Sequence, residues 1–375
     1  MDIGPSNPTP PLRRDRQARW LAVIAKTRRG PAAALARAGL TVLAGAYRAG
    51  LALANLRWRL PGAVRRAPCP VVSVGNLTVG GTGKTPMVAY LARVALAEEA
   101  RPLIVSRGYG AAGGRPNEEA LELAEICPDV PQVRNPDRLA AILDWTASEL
   151  CDLAILDDGF QHRRLARDLD IVLVDTTRPF GFGHVLPRGL LREPPSALAR
   201  ADLVVITRAE LLTDDGVARL QTELGAYLRP GVPVLVAEHQ PSRIVLLDGT
   251  RRDAGWLRGR KVTAACGIAN PDAFQQGLDR LGAQVVRFEA FRDHYTYAAA
   301  EIDHLIEAAR VAEAEALVTT RKDFVKWRPL LEDRRDDLPL EVAALGVDLA
   351  FTEGEDILRG RIRDLLPSPD TRKER

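Results

Sequence analysis

Six consecutive residues, Gly80-Gly81-Thr82-Gly83-Lys84-Thr85, carry the first chemistry legible in the chain, and the β-branched run Val71-Val72-Ser73-Val74 feeds them. Glycines at this spacing let successive backbone N–H groups turn inward on a polyanion. Lys84 then reaches the β- and γ-phosphates, and the Thr85 hydroxyl is placed to ligate Mg²⁺. The strict spacing asks for glycine at position 78, where this chain has Thr78; Thr78, Gly80, Gly81, Thr82, Gly83, Lys84 and Thr85 are the expected nucleotide-binding residues. Met87, Val88, Leu91, Val94 and Leu96 follow at helical spacing, which sets the phosphates on a helix N-terminus. A second element, Leu153-Ala154-Ile155-Leu156-Asp157-Asp158-Gly159, is an apolar strand ending in carboxylates. Beside a phosphate loop such a strand delivers Asp157 or Asp158 to the metal; taken alone, Asp-Asp-Gly is also ordinary turn chemistry. Asp175, at the end of Ile171-Val172-Leu173-Val174, competes for the same role.

The elements that must position these residues alternate short apolar runs with helical stretches. Strands are expected at 102–106, 153–157, 171–175, 203–207 and 234–237, with helices at 136–148 and 214–228. That rhythm predicts an α/β fold with a parallel sheet flanked by helices. Beyond Pro241 a second, smaller α/β series follows, with strands near 262–266, 284–288 and 316–320 and helices near 271–281 and 299–311. The expected units are a basic, partly disordered prefix over 1–67, a phosphate-loop core over 68–240, a second α/β domain over 241–350, and a C-terminal helix with a charged tail over 351–375, with a hinge near Pro241.

Charge is divided unevenly. The net charge of +3 hides a prefix with 13 Lys/Arg against 2 Asp/Glu and a remainder with 39 against 47. A basic prefix on an acidic body expects an anionic surface as partner, either nucleic acid or lipid. The pattern favours lipid. Between Pro31 and Pro61, Arg37, Arg48 and Arg59 recur every eleven residues, about three helical turns, so they share a face; Leu35, Leu40, Val42, Leu43, Tyr47, Leu53 and Trp58 spread over the other side. The longest arginine-free run inside is far short of the ~20 residues that span a bilayer, so an amphipathic helix lying in the interface is expected. The plainer reading is a core-packing helix with a solvated arginine stripe. Cys69, Cys127, Cys151 and Cys266 include no Cys-x-x-Cys pair, which points to a reducing compartment and away from a zinc or disulfide framework. The first thirty residues lack the continuous apolar core of a secretory signal.

The phosphate loop with Gly75-Asn76-Leu77 before it, Ser106-Arg107-Gly108-Tyr109-Gly110, Asp157-Asp158-Gly159-Phe160-Gln161-His162, Leu186-Pro187-x-Gly189-x-Leu191-Arg192-Glu193-Pro194, Gly267-Ile268-Ala269-Asn270-Pro271, Asp293-His294-Tyr295 and Thr320-Arg321-Lys322-Asp323 stand in order along the chain. Together they resemble the tetraacyldisaccharide 4'-kinases, the lipid A 4'-kinases of Gram-negative bacteria, whose version of the loop also carries threonine at position 78. The resemblance implies transfer of the ATP γ-phosphoryl group, with Mg²⁺, to the 4'-hydroxyl of a lipid-linked disaccharide 1-phosphate. It also implies a peripheral seat on the anionic cytoplasmic face of the inner membrane, with no nucleic acid partner.

The family usually carries Gly-Asp-Glu-Pro, its aspartate implicated as catalytic base. Here the best register sets Glu118 there; a shift of one would set Asn117, which accepts no proton, and Asn117 could simply cap a helix whose first turn holds Glu118 and Glu119. Phe182 stands where the family tends to have asparagine, and Arg321 where it has glutamate. The expected machinery is Lys84 on the phosphates, Thr85, Asp157 and Asp158 on Mg²⁺, and Glu118 oriented by His294 as the proton acceptor. Asn76, Arg107, Arg138 and Arg192 are candidates to hold the acceptor. Two rival classes use the same features: a membrane-recruited ATPase or GTPase switch, with Thr320-Arg321-Lys322-Asp323 as a faint guanine signature, and a lipid-binding module without catalysis.

Overall fold

The computed structural model describes residues 19–108, 118–268 and 270–368 of the chain. The first eighteen residues of the expected prefix, Asn117 and the last seven residues lie outside them. A long helix α1 (Pro31–Leu56) is followed by a nucleotide-binding half: β1 (Val71–Asn76), α2 (Lys84–Ala97), β2 (Pro102–Ser106), α3 (Glu118–Ile126), β3 (Gln132–Arg134), α4 (Arg138–Thr146), β4 (Leu153–Asp157), β5 (Leu169–Asp175), β6 (Leu203–Thr207) and α5 (Asp214–Gly225). The second half comprises β7 (Val234–Leu246), β8 (Arg251–Asp253), β9 (Lys261–Cys266), α6 (Pro271–Arg280), β10 (Gln284–Ala290), α7 (Ala299–Val311), β11 (Ala316–Thr320), α8 (Arg321–Leu331) and β12 (Glu341–Glu353), before α9 (Glu355–Leu365).

One sheet runs through both halves in the order β10-β9-β11-β12-β7-β6-β5-β1-β4-β2-β3, with β8 on β7. Strands β1 to β6 of the first half pair in parallel with one another and with the start of β7, and β9, β10, β11 and β12 of the second half also pair in parallel. The two sets meet where β7 and β12 pair antiparallel. β1, β4, β5 and β6 are buried at every position, as strands covered by helices on both faces must be. The expected boundary at Pro241 falls inside β7, opposite Val347 and beside a register shift at Gly346/Val347. A proline, which cannot donate to the ladder, is accommodated at such an irregularity. Helix α9 returns to the first half: Leu358, Ile362 and Leu366 complete the core that holds Met87, Val88 and Leu91 of α2.

Helix α1 reverses part of the expectation. The side meeting the body carries Ala33, Arg37, Leu40, Ala44, Tyr47 and Leu51, all buried or half-buried, so Leu40 and Tyr47 sit on the arginine side of the wheel. Arg37 donates to the Arg28 carbonyl at 3.0 Å, and Arg59 lies in a 3-10 turn beyond the helix end. What faces outward is apolar: Leu35 is 76% exposed, Val42 74% and Leu53 71%. A core-packing helix with a solvated arginine stripe would show the opposite. No helix among the described residues is long and apolar enough to cross a membrane.

Candidate active site

The chain turns sharply between β1 and α2, and two glycines permit it: Gly80 at φ 126° and Gly83 at φ 89° hold backbone conformations that L side chains rarely adopt. Neighbouring strands brace the loop from outside. Thr207 Oγ1 donates to the Thr82 carbonyl at 2.9 Å, and Arg208 donates to the Gly81 carbonyl at 3.0 Å. Arg208 is itself fixed by Asp175, which also accepts from Thr177 at 2.9 and 2.8 Å. Asp175, the rival metal ligand, is thus occupied in bracing the loop.

Inside the loop, Lys84 Nζ lies 3.5 Å from Asn76 Oδ1 and 3.5 Å from Asp158 Oδ1. Arg192 reaches both oxygens of Asp158, at 3.0 and 2.8 Å. Burial opposes ionisation of Asp158, but Lys84 and Arg192 outweigh it and hold the carboxyl below its ordinary range. Asp157 is in the opposite state. Burial pushes it up to about 6 against the pull of Lys84, and its Oδ1 is buried without a partner, as is the Thr82 hydroxyl. An unpaired buried carboxylate oxygen at the end of β4, facing the phosphate loop, fits a magnesium ion that takes its other ligands from substrate phosphates and water. Among the described residues no three His, Cys, Asp or Glu side chains gather to hold a metal by themselves.

Across a cleft stands the second half. Both halves turn the C-terminal ends of their parallel strands toward it: Gly81 to Thr85 and Asp157 from one, Ile268, Asn270, Thr320 and Lys322 from the other. Ligands in open α/β sheets bind in such a crevice. Beside the cleft-lining Glu119 and Asp293, Glu118 at the start of α3 meets His294, with Oε2 3.1 Å from Nδ1. Lys326 Nζ lies 3.1 Å from the same carboxylate oxygen, and Lys322 Nζ stands 3.3 Å from His294 Nε2 and 2.7 Å from Asp293. Burial disfavours the Glu118 carboxylate, yet the His294 bond and Lys326 more than compensate, so its carboxyl stays below its ordinary range. The bond to Glu118 in turn raises His294. The expected pair is therefore together, an ionised carboxylate steadied by Lys326 and by its bond to His294.

The acceptor candidates divide. Arg192 and Asn76 join the Lys84 cluster. Arg138, 4% exposed, begins α4; its guanidinium bears on Asp157 and Asp158, with Arg107 close enough to lower its pKa further after burial. Sequence reasoning missed Glu119 and Glu122, which line the cleft, and Lys326. It also missed His239 on β7, which burial and Arg208 hold down to about 3, hence neutral, against Gly83. Arg321 is buried, facing Glu122 and Glu125 of α3. Asp323 is no guanine reader: it is fully buried and accepts from Gly267 N at 2.7 Å and Thr320 Oγ1 at 2.8 Å, which fixes the start of α8.

The family described as LpxK, Tetraacyldisaccharide-1-P 4'-kinase, matches residues 36–366. A tetraacyldisaccharide 4'-kinase of Syntrophus aciditrophicus is 41% identical over 288 residues, 71% of this chain and 77% of the relative. One of Anaeromyxobacter dehalogenans is 38% identical over 359 residues, 90% of this chain and 93% of the relative. Among solved structures, LpxK from Aquifex aeolicus in complex with ATP is similar with a TM-score of 0.68 and 27% identity, over 88% of this chain and 99% of that one.

Proposed function

The chain belongs to the tetraacyldisaccharide-1-P 4'-kinase family, and from that premise we propose which of its residues perform the reaction and where. The protein is an ATP-dependent kinase of lipid A biosynthesis, transferring the γ-phosphoryl group to the 4'-hydroxyl of the disaccharide 1-phosphate precursor. The 4'-oxygen forms a bond to the γ-phosphorus as the bond to the β-phosphate oxygen breaks; ADP leaves, and the hydroxyl proton passes to a base. Loose phosphoryl transfer asks a protein chiefly for positioning and charge. Lys84 and the N–H groups of Gly80 to Thr85 hold the β- and γ-phosphates. Thr85, Asp157 and Asp158 would hold Mg²⁺, which when bound would neutralise charge developing on the phosphates. Of the two carboxylates, Asp157 has the free lone pair, whereas Asp158 orients Lys84 and Arg192.

The observation that carries the reading is the Glu118–His294 bond across the cleft, which joins residues 176 positions apart. Glu118 is the base, and closing the halves completes the site while excluding water, whose attack would waste ATP. Arg107, Arg138 and Arg192 are placed to meet the anionic acceptor. Glu118→Gln should lower turnover of labelled ATP onto the acceptor by ~10²–10⁴-fold with little change in ATP binding. Combined with His294→Ala, the loss should scarcely exceed that of the poorer single variant, because the two act as one unit. Wild-type-like turnover by Glu118→Gln would move the base elsewhere.

The outward apolar face of α1, with Arg48, Arg57 and Arg59 exposed nearby, supports a peripheral seat on anionic lipid. ATP as donor and acyl chains on the acceptor make that surface the cytoplasmic face of the inner membrane.

A further inference from the structure

The segment Val185–Arg192 is knitted to the phosphate loop as if it were part of it. Arg192 N donates to the Leu77 carbonyl at 2.6 Å, Val79 N donates to the Leu190 carbonyl at 2.8 Å, and Thr78 forms an antiparallel bridge with Leu191. The same segment is gripped from its other side by the N-terminal region. Trp20 Nε1 donates to the Pro187 carbonyl at 2.9 Å, and the buried Arg188 donates to the Ile24 carbonyl at 3.2 Å. From the middle of α1, the Tyr47 hydroxyl donates to the Arg192 carbonyl at 3.0 Å. Ala44, one turn earlier, lies in the core cluster that holds Leu77, Phe160 and Leu191, and Tyr47 packs against that cluster. Only one residue separates the helix from the catalytic carboxylates: the Arg192 backbone is bonded to α1, and its guanidinium to Asp158.

We propose that Tyr47 is a positioning residue that sets Arg192 on Asp158, so that seating α1 on a lipid surface and ordering the phosphoryl-transfer site are coupled events. The coupling rests on the peripheral-membrane reading of α1; the positioning does not. The geometry gives the helix two distinct faces for the two tasks. Leu35, Val42 and Leu53 point outward, while Ala44 and Tyr47 point at the segment that carries the arginine. Burial and the neighbouring Glu193 raise the Tyr47 pKa, and the phenol remains a donor throughout the neutral range. A helix drawn against a bilayer has less freedom to rock, and Tyr47 passes that restriction to a side chain that must stay in register with Asp158 through the reaction.

The test is Tyr47→Phe in the full-length enzyme, which keeps the ring packing and removes one donor. With tetraacyldisaccharide 1-phosphate in mixed micelles, kcat should fall about 3- to 10-fold, the range for losing one such hydrogen bond, with KM for ATP and the melting temperature nearly unchanged. In an Arg192→Ala background the same substitution should cost nothing further, because the arginine it acts through is gone. A similar fold loss in both backgrounds, or no loss in either, overturns the positioning role. For the coupling, wild-type turnover should rise as phosphatidylglycerol is added to the micelles, and the rise should flatten in Tyr47→Phe while sedimentation with phosphatidylglycerol vesicles is unchanged. Parallel rises overturn the coupling. A wild type that neither sediments nor responds to lipid overturns the membrane reading and the coupling together, and the two-background comparison still decides the positioning.

Discussion

Asp157 and Asp158 are neighbours in the chain and opposites in state, and that difference is where a residue-scale prediction can be made. Two cations clamp Asp158, so it is ionised and oriented; Asp157 is buried, unpaired and raised to about 6. Below that pH Asp157 holds its proton and offers no charge to a cation, and above it the carboxylate is free to bind one. The Mg²⁺ concentration for half-maximal turnover should therefore climb as pH falls through about 6, approaching tenfold per unit, and level off above pH 7, since ligation releases a proton. Steady-state rates across a Mg²⁺ series at each pH would show it; a flat half-saturation point would mean Asp157 is not the ligand. These residues were legible because phosphate chemistry leaves a local signature of glycines before lysine and a strand before carboxylates. Glu118 and His294 carry no such signature, and only the family resemblance paired them. Lys326 and His239 were missed for the same reason: each owes its place to a partner far away in sequence.

At the scale of elements, the phosphate loop is set by what a glycine lacks. A Cβ at Gly83 would stand 2.7 Å from His239 Nε2, and φ is 89° there. Gly83→Ala should therefore destabilise the protein by about 1–3 kcal/mol, combining backbone strain with overpacking, and should weaken ATP binding by displacing the N–H of Lys84. Urea unfolding and nucleotide titration measure the two; an unchanged midpoint with unchanged affinity would show that His239 simply swings away. Buried parallel strands were read from the sequence almost to the residue, as 102–106, 153–157 and 203–207 show, because unbroken apolar runs between turn residues leave little choice of boundary. β7 and β12 were not. β7 continues nine residues past its expected end through Pro241, and β12 mixes buried with half-exposed positions around a bulge, so neither keeps a simple period. Helix α1 was found, but its orientation was not. With alanines at so many positions, the wheel does not say which side docks, and the contact made by Ala44 and Tyr47 decides it.

For the whole molecule, the outward apolar strip of α1 makes a prediction independent of catalysis. Leu35→Ser with Val42→Ser and Leu53→Ser should cut binding to anionic vesicles roughly tenfold or more, given about 1 kcal/mol or more lost per buried side chain, while the melting temperature holds because all three are largely exposed. Sedimentation that equals wild type would remove α1 from the membrane contact. Deleting the prefix outright is a poorer experiment, since Ala44 would leave the core with it. The domain scheme reads differently in three dimensions as well. The chain leaves the nucleotide-binding half along β7 and comes back along β12, and Ala237 and Phe351 are paired partners in that ribbon. The second half is thus a loop inserted into the first. During synthesis the nucleotide-binding half emerges with a groove along α2 unfilled, and it stays so until Leu349, Leu358, Ile362 and Leu366 have been made. Its core closes only after Leu366 has been made. A nascent chain arrested before Glu355 should accordingly present apolar surface to chaperones and bind ATP poorly, although every residue of its phosphate loop has long since left the ribosome.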